Sequence, residues 1–170
     1  MQRGVRWFLG TVTLVITLML PLLVSAQQGI VPPWRVPLDP ARQVVEVTVG
    51  DQVLHTELAI SGNQQTLGLG YRNSLAENGA MLFVNDGAAP HTFWMKGMRF
   101  CLDIIWIEQG QIVGAAENVC PDPVGTADQD RARFESPGPV TYILEVNAGW
   151  LQDHGYGAGT PVVIPDLPDA

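Results

Sequence analysis

The stretch from Asn78 to Ile107 reads NGAMLFVNDGAAPHTFWMKGMRFCLDIIWI. Met81-Leu82-Phe83-Val84 is a continuous apolar run, as expected for a strand buried on both faces. Asp86-Gly87 and Pro90 end it. His91 to Met95 reads as the next strand, and Lys96-Gly97-Met98-Arg99 as a turn or loop. Phe100 to Glu108 and Gln111 to Glu117 form a hairpin around Gln109-Gly110. In that register Trp106 faces Val113, Ile104 faces Ala115 and Asp103 faces Ala116. Cys101 then lies opposite Asn118, one diagonal from Cys120, and a bulge near Asn118 would bring the two cysteines closer.

Outward from this block, further strands alternate in the period of a half-buried sheet. Val45, Val47 and Val49 alternate with Glu46 and Thr48. The turn Gly50-Asp51 pairs Val49 with Gln52 and Val47 with Leu54, which puts Leu54, Leu58 and Ile60 on the valine face. His55 falls on the opposite, solvated face. Ser61 caps a short helix over Gln64 to Leu69, and Gly68 and Gly70 keep it short. Val140 to Val146 is another strand. Asn147 caps a second short helix, Ala148 to His154, which Gly155 ends in the left-handed conformation. Thr160 to Ile164 is the last strand and 165–170 a tail. The expectation is a mainly β, single compact barrel- or sandwich-like domain over 44–164 with two short helices and no βαβ unit.

The N-terminus reads differently. Arg3 and Arg6 precede an apolar run, Trp7 to Val24, and Val24-Ser25-Ala26 resembles a signal-peptidase site before Gln27. Residues 1–26 are read as a signal peptide or an uncleaved N-terminal membrane anchor; both imply export to the periplasm or beyond. Four prolines make 27–43 an extended linker. The 170-residue chain carries 9 Lys+Arg and 17 Asp+Glu, a net charge of -8. So acidic a surface repels phosphate backbones and argues against nucleic-acid binding, and membrane contact is expected only through 7–24 if that segment is uncleaved.

Two cysteines without a CxxC pair or a histidine cluster support neither a thioredoxin-like redox centre nor a zinc site. An exported chain admits a disulfide between them. The long polar loop Pro121 to Pro139 carries Asp128 and Asp130 but lacks the further ligands and glycine of a calcium loop. No motif calls for a cofactor.

The order of motifs resembles the bacterial and archaeal family called domain of unknown function 192. Its carriers are Gly68-Leu69-Gly70-Tyr71-Arg72 with Leu75, Gly79 to Val84, His91 to Lys96, Leu102 to Ile107, and Tyr142 to Trp150 with Gly155 and Gly159. The resemblance implies a small mainly β domain with short helices and carries no activity. The chain departs from the family pattern at Gly70, at Gly97-Met98 and at Phe100-Cys101. A thiol at 101 that arrives together with one at 120 favours their pairing.

Candidate site residues are the polar groups that interrupt apolar strands and the groups able to meet them. Asp103 and Glu145 are carboxylates within apolar runs, costly unless paired or hydrogen-bonded. His91, Lys96, Arg72 and Asn147 are their available partners, and Trp94 adds an aromatic face. One reading is a purely structural network. The sharper one is a cleft lined by Asp103, His91, Glu145 and Trp94. The leading functional expectation is a non-enzymatic cell-envelope domain that binds a small molecule, a glycan or a partner protein. The alternatives are a hydrolase or lyase using Asp103 or Glu145 as general acid-base, and a metal-binding domain using His91, Asp103 and Glu145.

Overall fold

The computed structural model describes residues 42–167. The N-terminal segment 1–26, the linker up to residue 41 and the last three residues of the tail lie outside the described residues. The elements are β1 (Val44–Val49), β2 (Gln52–Ala59), α1 (Gly62–Leu67), β3 (Gly79–Ala89), β4 (Thr92–Phe93), β5 (Leu102–Glu108), β6 (Gln111–Val119), β7 (Phe134–Glu135), β8 (Val140–Asn147), α2 (Trp150–His154) and β9 (Val162–Val163). Seven strands form one sheet in the order β6-β5-β8-β3-β2-β1-β9, and β4 pairs separately with β7. The sheet curls until its first and last strands meet. Gln111 bridges Pro161, and Ile112 N donates to Thr160 O at 2.9 Å while Val162 N donates to Gly110 O at 2.8 Å.

The expected mainly β fold with two short helices is the one observed. The β1–β2 register is the predicted one, with Val49 opposite Gln52 and Val47 opposite Leu54. Ser61 caps α1 through a capping box with Gln64, each side chain satisfying a backbone N–H of the other. One expectation is corrected. β2 and β3 run parallel, joined through α1, so the chain does contain one βαβ unit. The helix itself is expected from the sequence, over 64–69, but at six residues with no buried one it presents no apolar face to mark it as a crossover packed on the sheet.

Period-2 alternation divides the core into two layers. Inside the curl, Val47, Leu54, Leu58, Leu82, Ile105, Ile107, Leu144 and Val146 pack together, and Trp150 and Leu151 of α2 join them. On the outer face, Met81, Phe83, Ile104, Trp106 and Ile143 pack under Leu69, Leu75 and Met95 of the loops. Strands β3, β5 and β8 are therefore covered on both sides, which is why two of them read as unbroken apolar runs.

The β5–β6 hairpin slips twice from its simple register. Glu108 pairs with Gln111 and Ile107 with Ile112, but Trp106 pairs with Gly114 and Ile104 with Ala116, and Leu102 pairs with Val119. Each slip is a bulge in β6. The second falls at Asn118, which has φ 53°. Together they carry Cys120 opposite Cys101, and the two form a disulfide with a Cα–Cα distance of 4.1 Å.

Candidate functional site

Asp103 and Glu145 have the same sequence signature and opposite structural fates. Asp103 shares the inner face with Ile105 and is fully buried. Its Oδ1 accepts from Asn118 N at 2.8 Å and Gly149 N at 3.1 Å, and its Oδ2 accepts from Leu151 N at 3.0 Å. It caps α2 from a distant strand and holds the β6 bulge. Gly149 itself is left-handed and lends α2 no side-chain cap, so Asn147 is not the cap. Asn147 instead donates to Ala76 O at 2.8 Å.

Glu145 points the other way. It pairs across the sheet with Met81 on one side and Ile104 on the other, both in the outer layer. It is 6% exposed, and its Oε2 has no hydrogen-bond partner among the described residues. Burial pushes its carboxyl up to about 8, against the opposing pull of Arg42 and Arg72. A carboxyl in that state is mostly protonated at neutral pH.

Glu57, which the sequence does not single out, lies two strands away across Met81. The Arg72 guanidinium grips both of its oxygens, with Nη2 at 2.7 Å from Oε2, and Arg42 Nη1 stands 3.6 Å from Oε2. Arg72 is thus committed to Glu57 beneath the surface. Nothing in the alternation of β2 marks Glu57 as buried, because the loop that covers it is distant in sequence.

Above Glu145 lies an open cleft of about 960 Å³. The turn after α1, β3, the β4 region and β8 wall it. Its apolar sides include Leu69, Phe83, Phe93 and Ile143, with Phe83 and Phe93 in edge-to-face contact at 4.9 Å. His91 lines the same cleft, and its Nε2 is buried without a partner among the described residues. Trp94, 39% exposed, and Lys96 stand at the mouth. Of the sequence candidates, His91, Trp94, Lys96 and Glu145 come together here. Asp103 is on the other side of the sheet, and Arg72 and Asn147 do not line the cleft. His91, Asp103 and Glu145 accordingly do not converge, and no group of His, Cys, Asp or Glu among the described residues could hold a metal ion.

The long polar loop packs beside the residues at this mouth. Its strand β7 pairs with β4, and His91 N donates to Ser136 Oγ at 3.0 Å. Asp128 pairs with Lys96, and Arg131 bonds both Asp122 and Asp128 at 3.1 Å. Lys96 and Arg131 together hold the Asp128 carboxyl below its usual range. Arg133 lies over the Trp94 ring at 4.4 Å from its centroid, and Lys96 at 5.0 Å. These loop residues carry no sequence signal for the site, since strand pairing between segments about 40 residues apart brings them in.

The profile of a family described as Uncharacterized ACR, DUF192, matches residues 44–164. Two solved structures are similar. One, from Novosphingobium aromaticivorans, is a protein of unknown function, 28% identical, with TM-score 0.66 over 82% of this chain and 94% of that one. The other, from Sinorhizobium meliloti, is described as a candidate transcription regulator, 29% identical, with TM-score 0.66 over 74% of this chain and 96% of that one. No match is found among curated proteins.

Proposed function

The chain belongs to the DUF192 family, which brings no activity with it, and we propose that its domain is a non-enzymatic ligand-binding module with the cleft above Glu145 as its site. The observation that carries this reading is the Glu145 Oε2, buried and without a hydrogen-bond partner among the described residues, at the floor of an open cleft. An unmade hydrogen bond there costs about 1–3 kcal/mol, and a ligand that supplies it recovers that cost. The volume suits a small molecule. A glycan is disfavoured, because Arg133 and Lys96 already stand over the Trp94 ring that would stack on a sugar. Titration of tryptophan fluorescence against a compound library should yield ligands whose binding is lost in Glu145→Leu. A library that yields none, or ligands indifferent to that substitution, overturns the reading.

The same carboxyl favours a second reading. An acid held protonated near neutrality is suited to donate a proton in hydrolysis or elimination. Asp103 is sealed away from Glu145, so His91 is the remaining candidate for the base. Turnover that Glu145→Gln abolishes while binding persists would replace the binding reading with this one.

The domain is proposed to act outside the cytoplasm. The Cys101–Cys120 disulfide supports this, since such bridges persist in oxidising compartments. Among the described residues no helix is long and apolar enough to cross a membrane. Fractionation of cells with an antibody to the domain tests the location; recovery with cytosolic markers would overturn it.

A further inference from the structure

The described residues carry six basic side chains against 15 acidic ones. Those six are not spread over the surface. Arg42 and Arg72 lie buried close enough to the cleft floor to act on Glu145. Lys96 lines the cleft, and Arg133 and Arg131 stand beside it against Trp94 and Asp128. Arg99, the sixth, bonds Asn73 Oδ1. Three of the six cations thus gather beside the cleft, where Asp122 and Asp128 pair with Lys96 and Arg131 and the same loop also carries Asp130 and Glu135; Arg133 bonds backbone carbonyls. Between mouth and floor the walls are apolar: Leu69, Phe83, Phe93, Met98 and Ile143.

We propose that the ligand is a small organic acid, an apolar body bearing one carboxylate, with the carboxylate meeting Glu145 and His91 and the body lying against Phe83 and Phe93. This rests on the cleft being a binding site and names the class it takes. A carboxyl group that keeps its proton is a hydrogen-bond donor, and its natural complement is an ionised carboxylate. His91 Nε2, also without a partner among the described residues, faces the same cleft and can donate a second bond. Arg133, over the Trp94 ring and bonded to backbone carbonyls rather than to a carboxylate, is the nearby cation that favours an anion over an amine. The groups that bear on Glu145 are Arg42 and Arg72 below, Glu57 beyond Met81, and His91 and Lys96 around the cleft. Only Glu57 among them is anionic, and Arg72 neutralises it.

The test compares three probes of one shape, phenylacetate, 2-phenylethanol and phenethylamine, by calorimetry on the purified protein at pH 7 and pH 9. Phenylacetate should bind tightest at pH 7. Its affinity should fall about tenfold by pH 9, because Glu145 ionises and repels it over the last unit. Glu145→Gln keeps a donor and carries no charge, so it should bind phenylacetate with little change between the two pH values. Lys96→Gln with Arg133→Gln should weaken phenylacetate several-fold and reduce its salt dependence, with no effect on the alcohol. The alcohol or the amine binding as tightly as the acid, or phenylacetate binding that is flat with pH in the unsubstituted protein, overturns the ligand class and leaves the cleft standing as a site. No binding by any probe or library compound overturns both.

Discussion

A buried carboxyl is stable only in the company its neighbours provide, and Asp103 and Glu145 show the two ways of meeting that demand. Asp103 meets it by accepting three backbone N–H bonds. Asp103→Asn retains the shape but turns an NH2 group towards one of those donors. It should cost about 2–3 kcal/mol by urea denaturation, with no direct effect on the cleft. Glu145 meets the demand by staying neutral. Its folded pKa is about 8 against a reference of 4.5. Between those values the unfolded chain releases a proton that the folded chain retains, so its contribution to stability is full below pH 4.5 and is lost as pH rises towards 8. The melting temperature should therefore drop between pH 5 and pH 8, and Glu145→Gln should flatten that drop. The sequence reveals that both residues are unusual. It does not separate them, because the partners that decide the matter lie 15 to 48 positions from Asp103 in the chain.

At the scale of elements, the first turn and the Ser61 cap are legible in the sequence, the Asn147 cap is a misreading, and of the two β6 bulges the one near Asn118 is suggested by the cysteines while the one near Val113 is not. The β1–β2 turn and the Ser61 capping box follow from residues a few positions apart. The bulges of β6 do not follow locally, because either strand alone would accept the plain register; the one near Asn118 is inferred only from what the two cysteines need to meet. Their consequence is the pairing of Cys101 with Cys120, 19 positions apart. Mass measurement of the purified protein under alkylating conditions should find no free thiol. Reduction should lower stability by about 3 kcal/mol in the loop-entropy account. Because Asn118 N bonds Asp103 and Ala148 N bonds Cys101 O, the loss should appear first as hydrogen exchange at the start of α2. The Lys96–Gly97 turn is a smaller case. Gly97 has φ +75°, and a Cβ there would stand 2.8 Å from the Tyr71 ring. Gly97→Ala should cost about 1–2 kcal/mol and displace Tyr71 at the cleft wall, read as a shifted melting curve and weaker ligand binding.

Across the whole molecule, the apolar runs identify β3 and β5 as central because they are covered on both faces. The parallel β2–β3 step was hidden by a helix with no buried residue. The cleft was half legible: His91, Trp94, Lys96 and Glu145 could be named, while the Asp122–Ser136 loop that packs beside its mouth could not. The meeting of β6 with the last strand has a further effect. An open sheet ends in two rows of unsatisfied backbone groups, each a template for a second molecule. Here residues 159–163 pair with Thr48 to Gly50 and with Gly110 to Ile112, closing one end of each row. Those few residues should hinder edge-to-edge association there. A chain ended at Gly159 would retain most of its core, and light scattering should find it forming oligomers that grow with concentration, whereas the full chain should not.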